Sequence, residues 1–373
     1  MRTPLVTVLT ALLLACSVHA KTTWPLWESY TSYFLEADGR IVDHDANDRT
    51  TSEAQAYALF FSLVANDRAR FDSVLSWTNQ NLAQGNLSLH LPAWQWEKGR
   101  GAWRESDKNS AADADLWLAY TLLQAGRLWH DSRLVQSGHV LADRILAEEA
   151  ADIPRFGPML MPGSFGFTNA DGSFELNPSY VPVQLLLGIG DALRDQAWRN
   201  IAANVPKLLR GSSPSGFILD WIAFRAKDGF SVYPLPAPEP LSSYDAIRVY
   251  LWAGMLDSAS PFRPEVLSAL SGMARYMADH RIPPAEVQPD GRVRNANGSV
   301  GFSAALLPFL SANNLKSAAD QQMKRMQLER SGKTGLFGSP PRYYDQNLAL
   351  FGTGWCEGRF KFEATGTLKV SWN

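Results

Sequence analysis

The sequence alternates between two kinds of helical segment, and this alternation limits the folds that the chain can adopt. Apolar residues recur at the spacing of an α-helix, with little of the strict alternation that long strands show. Six segments are apolar enough to be buried helices: 52–64, 110–129, 177–187, 242–256, 299–310 and 342–351. Between them lie more charged, amphipathic segments, which we predict to be outer helices: 67–82, 132–149, 194–209, 264–280 and 317–330.

This order predicts a set of helical hairpins in one domain. The apolar segments start at unequal distances, which argues against a solenoid repeat. If 24–35 forms one further outer helix, a closed ring of six hairpins would bury all six apolar helices in its middle. No Pro/Ser-rich linker divides the chain, and we expect 234–240 to form a stiff loop before a helix. We therefore predict an all-α, single-domain fold with six inner and six outer helices.

Composition excludes several classes of protein. The chain has 373 residues with 35 Lys+Arg, 37 Asp+Glu and 46% hydrophobic residues, which is typical of a folded globular protein and not of a disordered one. The balanced, interleaved charges argue against nucleic acid as a partner. The two cysteines are too few for a disulfide scaffold, and the six histidines show no ligand spacing, so we expect no metal. Gly99-Arg100-Gly101 lacks the other features of a nucleotide loop, and we expect no cofactor.

The first twenty residues predict a secretory signal peptide. Arg2 is followed by an uncharged apolar run, and the small residues before Lys21 predict cleavage after Ala20. The mature chain, 21–373, is then periplasmic or secreted, since no later segment offers the roughly 18 apolar residues of a membrane span. An alternative stays open, because the sequence before Cys16 loosely imitates a lipoprotein site, and lipidation there would anchor the protein to a membrane.

Three acids stand at the starts of predicted inner helices. Glu53, Asp113 and Asp245 each follow a Ser or Thr by three residues, so each fits the third position of a helix with a Ser or Thr N-cap. In a ring of parallel inner helices these starts would bring three carboxylates together at one end. For any single acid, capping and the helix dipole are a sufficient explanation. Repetition on three buried helices favours a shared chemical role, because burying an uncompensated acid is costly.

The motifs around these acids resemble those of glycoside hydrolase family 8. The three motifs are TSEAQAY at 51–57, SAADADLWLA at 110–119 and SYDAIR at 243–248. The similarity continues over nearly all the mature chain, in the order WP at 24–25, NDR at 66–68, LPAW at 91–94, NPSY at 177–180 and VGFSAA at 300–305. Ala54 and Ala114 stand where glycines are common in the family, a change that leaves the carboxylates in place.

The resemblance implies an (α/α)6 barrel as the catalytic domain, 21–373, and an endo-β-1,4-glucanase that inverts the anomeric carbon. It implies that Glu53 is the general acid and Asp245 the base, with Asp113 as a further active-site acid that binds or orients the sugar. Asp113 and Asp115 lie about 200° apart around a helix, so only one of them can face the cleft. The sequence leaves open which one does, and Asp115 stays a candidate sugar ligand.

Aromatic residues near these acids are candidates for stacking on a glucan, whose sugar faces are flat and apolar. Trp94, Trp96 and Trp103 fall in a segment that we expect to be irregular, where packing of a loop is the alternative. Tyr180 and Tyr244 are expected at inner-helix starts, with Arg248 one turn after Asp245. The remaining candidates for substrate binding are therefore Trp94, Trp96, Trp103, Asp115, Tyr180, Tyr244 and Arg248.

The resemblance also implies a biological setting and leaves alternatives open. It implies trimming of nascent cellulose in the periplasm, with a β-1,4-glucan as partner and contact with a cellulose synthase complex as a further expectation. Other activities of the same family, on chitosan, xylan or mixed-linkage glucan, share the acid motif. A noncatalytic glucan-binding assembly protein and a polysaccharide lyase are weaker alternatives. The presence of both Glu53 and Asp245 counts against the noncatalytic alternative.

Overall fold

The computed structural model describes residues 23–232 and 240–372. The predicted signal peptide and most of the predicted stiff loop at 234–240 lie outside the described residues. The inner helices are α2 (Ser52–Val64), α4 (Ala112–Leu128), α6 (Val183–Leu193), α8 (Ala246–Gly254), α11 (Val300–Ala312) and α13 (Tyr343–Cys356). The outer helices are α1 (Pro25–Phe34), α3 (Arg68–Leu82), α5 (Ser132–Glu148), α7 (Gln196–Gly211), α9 (Arg263–Ala269), α10 (Ser271–Asp279) and α12 (Lys316–Leu328).

The six inner helices form a closed ring, as predicted. Helix α4 packs between α2 and α6, and α11 packs between α8 and α13. Two further contacts close the ring: Phe351 of α13 lies 4.6 Å from Phe61 of α2 between ring centroids, and Gln184 of α6 donates from Nε2 to the carbonyl of Trp252 in α8 at 3.3 Å. At the centre, the fully buried Trp117 contacts Phe60, Trp252 and Phe351 at centroid distances of 4.8, 5.2 and 5.0 Å. Each inner helix has an outer partner, and the fold is an (α/α)6 barrel.

Several element boundaries differ from the predicted ones. Helix α6 begins at Val183 and not near Asn177, because a 3-10 turn over Pro178–Tyr180 comes first and Pro182 precedes the helix. Helix α8 begins at Ala246, four residues later than Ser242. The fifth outer helix is broken at Leu270 into α9 and α10.

Short antiparallel strands lie in the loops of the barrel, although the sequence indicated few strands. In the part of the chain that the structure describes, they form five small sheets: β1 (Thr50–Thr51) with β2 (Gln95–Gly99) and β3 (Ala102–Asp107); β4 (Ala150–Ile153) with β5 (Gly157–Leu160); β6 (Ser173–Leu176) with β7 (Ile222–Arg225) and β8 (Gly229–Ser231); β9 (Glu286–Val287) with β10 (Val293–Asn295); and β11 (Phe360–Phe362) with β12 (Leu368–Val370). All but the last sheet lie in connections that lead into inner helices. Within the described ranges, no helix has the length and apolar content needed to cross a membrane.

Candidate active site

The three predicted acids lie at the starts of their inner helices, but not at the predicted position. Thr51 caps α2 by accepting a hydrogen bond from the Ala54 N–H at 3.3 Å, so Glu53 is the second helical residue. Asp113 is likewise the second residue of α4, and Asp245 directly precedes α8. The predicted Ser or Thr cap three residues before each acid is therefore wrong.

The hydroxyl residues expected as caps have other partners. Thr50 lies in β1, where its Oγ1 donates to the carbonyl of Ile41 at 2.6 Å. Ser110 donates from Oγ to the Glu149 carboxyl. Ser242 pairs through its backbone with Val287. Sheet formation and tertiary contacts override the local capping pattern at all three starts.

Arg248 gathers the three acids into one cluster. Its Nη1 donates to Asp113 Oδ2 at 2.8 Å and lies 3.5 Å from Glu53 Oε1, while its Nη2 donates to Asp245 Oδ1 at 2.7 Å. The Arg248 side chain is only 4% exposed. Such a buried guanidinium forms strong, directional bonds to carboxylates. The structure thus brings the carboxyl groups of Glu53, Asp113 and Asp245 together, as predicted. The Arg248 guanidinium lies between them.

The cluster has a net negative charge, and this charge acts on its most buried member. Burial and the neighbouring Glu53 carboxylate raise the pKa of Asp113 well above its ordinary value, against the opposing effect of Arg248. The Asp113 side chain is 1% exposed, and its Oδ1 also accepts a hydrogen bond from the Ala114 N–H at 2.9 Å. Asp113 is thus a rigid anchor of the site, held by Arg248 and by its own helix.

Glu53 and Asp245 are the open members of the cluster. The side chain of Glu53 is 18% exposed and that of Asp245 is 31% exposed. Trp94 donates from Nε1 to Glu53 Oε2 at 2.8 Å. Asn177 Nδ2 and Trp221 Nε1 both donate to Asp245 Oδ2 at 3.1 Å. The two open carboxyl groups lie on opposite sides of one guanidinium, and each is oriented by neutral donors.

Hydroxyl groups complete the surroundings of Arg248. Its Nη1 donates to Tyr57 OH at 3.2 Å, and its Nη2 donates to Ser179 Oγ at 2.9 Å. The predicted residue Tyr180 lies in the same place, with the guanidinium carbon 5.5 Å from its ring centroid. Burial, followed by the charge of Asp113, raises the pKa of the Tyr180 phenol well above its ordinary value. Tyr180 therefore stays a neutral donor beside the cluster.

Only one of the three predicted stacking tryptophans touches the acids. Trp94 directly precedes β2, whereas Trp96 and Trp103 lie on the β2–β3 hairpin and not in an irregular segment as expected. Trp96 packs edge-on against Trp77 at 5.9 Å, and Trp103 is 37% exposed and stacks on the Arg40 guanidinium at 3.8 Å. These contacts are with residues other than Glu53, Asp113 and Asp245, so the proposed role of Trp96 and Trp103 in stacking on sugar stays a prediction.

Tyr244 lies at the surface beside the acids. It is 49% exposed, and its ring packs against Phe302 and Tyr344 at centroid distances of 5.2 and 5.8 Å. Its backbone carbonyl accepts a hydrogen bond from the Tyr344 hydroxyl. Because Tyr244 directly precedes Asp245, Tyr344 of the last inner helix helps to fix this backbone.

Asp115 does not face the cluster, which corrects its assignment as a candidate sugar ligand. It is fully buried and points to Glu149, the residue that follows α5. As expected for two positions on nearly opposite sides of a helix, Asp113 faces Arg248 and Asp115 faces outward to the second hairpin. The structure thus resolves which of the two aspartates points into the site.

Several residues of the site were missed by the sequence reasoning. Tyr57 and Ser179 both lie in motifs that carried the family resemblance, so a signal for them existed in the chain. Trp221 and its neighbour Asp220 lie in a loop far from any of those motifs, and only the fold brings them to Asp245. Tyr344 was also missed, because its hydroxyl donates to the backbone carbonyl of Tyr244, a contact that no sequence motif indicates.

This geometry is suited to acid–base chemistry across a groove. Two carboxyl groups that are separated by a guanidinium and open to the outside can act on opposite sides of a bond, one as a proton donor and one as a proton acceptor. Inverting glycosidases require such a pair at a separation of roughly 6.5–9.5 Å, which leaves room for a water molecule. The tryptophan and tyrosine side chains beside the pair supply apolar faces and hydrogen-bonding tips of the kind that bind sugars.

Comparisons with known proteins show which proteins this chain is similar to. The family model described as "Glycosyl hydrolases family 8" matches residues 1–358. A protein of Xanthomonas axonopodis pv. citri named endoglucanase is 44% identical over 351 residues, which cover 94% of this chain and 89% of that protein. An endoglucanase of Escherichia coli (strain K12) is 39% identical over 100% of this chain and 97% of its own length. The crystal structure of an endo-1,4-D-glucanase from Vibrio fischeri ES114 superposes with a TM-score of 0.87 at 38% identity, covering 94% of this chain and 99% of that one.

Proposed function

The chain belongs to glycosyl hydrolase family 8, and on that basis we propose that it is an endo-β-1,4-glucanase that cleaves internal glucosidic bonds with inversion at the anomeric carbon. The observation that carries the proposal is the Arg248 cluster, which holds Glu53, Asp113 and Asp245 at one end of the barrel. The names of the similar proteins, endoglucanase and endo-1,4-D-glucanase, support the substrate class.

In the proposed reaction, Glu53 and Asp245 act on opposite sides of the scissile bond. Glu53 gives its proton to the glycosidic oxygen as the bond from that oxygen to the anomeric carbon breaks. A water molecule attacks the anomeric carbon from the other side and loses a proton to Asp245, so that both products carry hydroxyl groups. No covalent intermediate forms, and the configuration at the anomeric carbon is inverted.

The other residues of the cluster orient and balance this pair. Asp113 is nearly inaccessible and is held by Arg248, so we assign it to orienting the sugar at the cleavage point indirectly, by fixing the guanidinium between Glu53 and Asp245. Trp94 combines a platform for that sugar with the hydrogen bond that fixes Glu53. Burying three acids close together costs free energy. The positive charge of Arg248 offsets part of this cost.

Reducing-end release and viscosity of carboxymethylcellulose test the proposal, with the mature chain compared with Glu53→Gln and Asp245→Asn. We expect a rapid fall in viscosity with the parent and a loss of at least ~10³-fold in rate with each variant, because each loses a proton-transfer group. Asp143→Asn, on the outer helix α5 with a side chain that is 63% exposed, is the matched control and should be fully active. Binding of cello-oligosaccharides by both inactive variants shows that they are folded.

The anomeric form of the first products separates inversion from retention. Proton NMR of fresh digests of a β-linked oligosaccharide should show the α-anomer first, before mutarotation mixes the two forms. Initial appearance of the β-anomer would contradict the inverting mechanism. Binding without any cleavage by the parent would favour a noncatalytic glucan-binding protein, and products that absorb in the ultraviolet would indicate a lyase.

The choice of polymer is tested by the same assay on several substrates. Chitosan, xylan and mixed-linkage β-glucan differ from cellulose in the groups that meet the groove, while the acid–base pair is common to all of them. We expect carboxymethylcellulose to be cleaved faster than chitosan or xylan. A higher kcat/KM on either of those would overturn the glucanase proposal and leave the acid–base pair in place.

We propose further that the enzyme is exported and trims nascent cellulose beside a cellulose synthase complex. The apolar run before Lys21 supports export, and N-terminal sequencing of the secreted protein should begin at Lys21. A lipid-modified Cys16, detected by mass spectrometry of a membrane fraction, would contradict this cleavage site. In a cellulose-producing host, deletion of the gene should alter cellulose yield, and the Glu53→Gln variant should fail to restore it.

A further inference from the structure

Helix α8 is capped by a residue that is distant in sequence. The first N–H groups of a helix have no partner within the helix, and the residue at the N-cap usually supplies one. Here Asp220, in the loop after α7, does so from outside. Its Oδ1 accepts hydrogen bonds from the N–H groups of Ser243 and Ala246 at 2.8 and 2.7 Å, and its Oδ2 accepts one from the Ser243 hydroxyl.

Asp245 occupies the N-cap position of α8, yet its side chain makes no capping bond. Aspartate is among the residues that most favour a capping role at this position. The Asp245 oxygens are instead directed to Arg248, Asn177 and Trp221, and the side chain is 31% exposed. Because Asp220 satisfies the backbone, Asp245 is released from capping and is left open to the groove.

The residue next to Asp220 contacts the Asp245 carboxylate itself. Trp221 donates from Nε1 to Asp245 Oδ2 at 3.1 Å, and its ring stacks with Phe167 at a centroid distance of 6.0 Å. The Asp220 N–H donates to the carbonyl of Leu241 at 2.8 Å, which fixes the loop to the segment that leads into α8. Two consecutive residues thus hold both the backbone turn and the side chain of Asp245.

We propose that Asp220 is a positioning residue for the general base: it caps α8 in place of Asp245 and so sets the direction of the Asp245 carboxylate. This inference rests on the proposed function, in which Asp245 activates water. Asp220 is not itself the base, because three donors from Ser243 and Ala246 already occupy its two oxygens. Its role is to act through the turn that carries Asp245.

The protonation of Asp220 decides which variants can separate its capping bonds from its charge. Burial, followed by the charge of Asp245, raises the pKa of Asp220 to about 7, so a neutral side chain is compatible with this place. Asn keeps one oxygen for the two backbone N–H groups and can donate from its amide to the Ser243 hydroxyl. Ala removes all three bonds. The pair Asp220→Asn and Asp220→Ala therefore separates the cap from the charge.

The experiment measures kcat and KM on a cello-oligosaccharide, well below the melting temperature, for both variants and for Asp245→Ala. We expect Asp220→Ala to lose up to ~10²-fold in kcat with KM changed by less than about threefold, since a small misplacement of a catalytic group is costly. Asp220→Asn should recover most of that loss. Asp228→Asn, in the following β7–β8 turn with a side chain that is 50% exposed, is the matched control.

Chemical rescue distinguishes positioning from catalysis. Sodium azide should restore turnover to Asp245→Ala, which lacks the base, and should not restore it to Asp220→Ala, which retains it. Parent-like kcat in a folded Asp220→Ala, alongside an inactive Asp245→Ala, would overturn the positioning role alone. An Asp220→Asn variant as impaired as Asp220→Ala would also overturn it, because charge and not capping would then matter. Full activity of Asp245→Ala would overturn the proposed base and this inference with it.

Discussion

Two aspartates of helix α4, two residues apart, lie in opposite electrostatic surroundings. Asp113 joins Glu53 and Asp245 around the Arg248 guanidinium, at 2.8 Å from its Nη1. Asp115 meets Glu149, and among the described residues no Arg, Lys or His forms an ion pair with either of these two carboxyl groups. Both aspartates are almost completely buried. A cation offsets part of the charge of the first cluster, whereas the second pair avoids charge by holding protons.

Burial raises the pKa of both members of the second pair. It raises the pKa of Glu149 to about 8 and that of Asp115 well above its ordinary value, with Glu149 as the next cause. Glu149 also accepts a hydrogen bond from the Ser110 hydroxyl. The other titratable groups that face the pair are Glu148 and Asp113, both acids, and they also favour protonation.

The difference between the two regions follows from what each does. A contact between a helix and a hairpin has only to be stable, and protonation of its two acids achieves that without a counterion. The Asp115–Glu149 pair connects the start of α4 to the end of α5, where the Glu149 carbonyl also accepts from the Met161 N–H at 2.7 Å. A site that passes protons to and from a substrate needs carboxyl groups that stay responsive, and Arg248 supplies a fixed charge that does not titrate.

Removal of the guanidinium should have the largest effect of any change in either region. Arg248→Met leaves three acids close together without a cation, and loss of one partner of a buried ion pair costs about 3–5 kcal/mol of unfolding free energy. We expect kcat/KM to fall by at least ~10³-fold, because Glu53 and Asp245 lose their common anchor. Urea denaturation and activity on cello-oligosaccharides measure the two effects.

A matched control tests whether this effect belongs to the cluster. Arg133→Met removes an arginine of α5 whose side chain is 85% exposed, and neither stability nor activity should change measurably. Parent-like activity of a folded Arg248→Met variant would show that the acids do not depend on the guanidinium, and the comparison of the two regions would then fail.

The same substitution at the two aspartates tests the comparison directly. Asp113→Asn should reduce kcat by about 10²-fold or more, because the amide donates where Arg248 requires an acceptor. Asp115→Asn should change kcat by less than about threefold, because this side chain faces away from Arg248 and an amide, like a protonated acid, carries no charge. Steady-state kinetics at pH 6, with circular dichroism as the check of folding, give the contrast. Equal losses in both variants would place Asp115 in the site and contradict its observed direction.

The sequence predicted the ring of helices, and it placed three acids at the starts of inner helices. Both predictions depend on local apolar periodicity and on the order of the segments along the chain. It could not choose between Asp113 and Asp115, since the choice is made by Arg248 from α8 and Glu149 from the end of α5. It placed the caps at Thr50, Ser110 and Ser242, where sheet pairing and tertiary hydrogen bonds take over the hydroxyl groups or the backbone. Asp220 was missed for the same reason, because its partners come from a segment more than twenty residues away.

The second pair should make stability depend on pH in a predictable direction. Between about pH 4.5 and about pH 8, folded Glu149 retains a proton that the unfolded chain has lost, so the folded state binds more protons. The free energy of unfolding therefore falls as pH rises through this window, and the raised pKa of Asp115 acts in the same direction. Urea unfolding at pH 5, 6.5 and 8 should show a decline that the double variant Asp115→Asn, Glu149→Gln reduces by a few kcal/mol.

The double variant is its own control, because all other titratable groups are common to both proteins. At pH 5 the two proteins should have similar stability, since the amides imitate the protonated pair. At pH 8 the variant should be the more stable one. Parallel curves over the whole window would mean that the pair holds no extra proton in the folded state, which would contradict the second half of the comparison.

The smallest effect should come from a neutral donor of the charged cluster. Trp94→Phe keeps an aromatic face but removes the Nε1–H that donates to Glu53 at 2.8 Å. Glu53 is neutral when it gives its proton, a hydrogen bond between neutral groups contributes about 0.5–1.5 kcal/mol, and Arg248 remains to hold Glu53, so we expect a loss in kcat of at most roughly tenfold. KM should change little, because the ring still stacks on the sugar. If KM rises and kcat is retained, Trp94 serves only as a platform, and Glu53 is oriented by Arg248 alone.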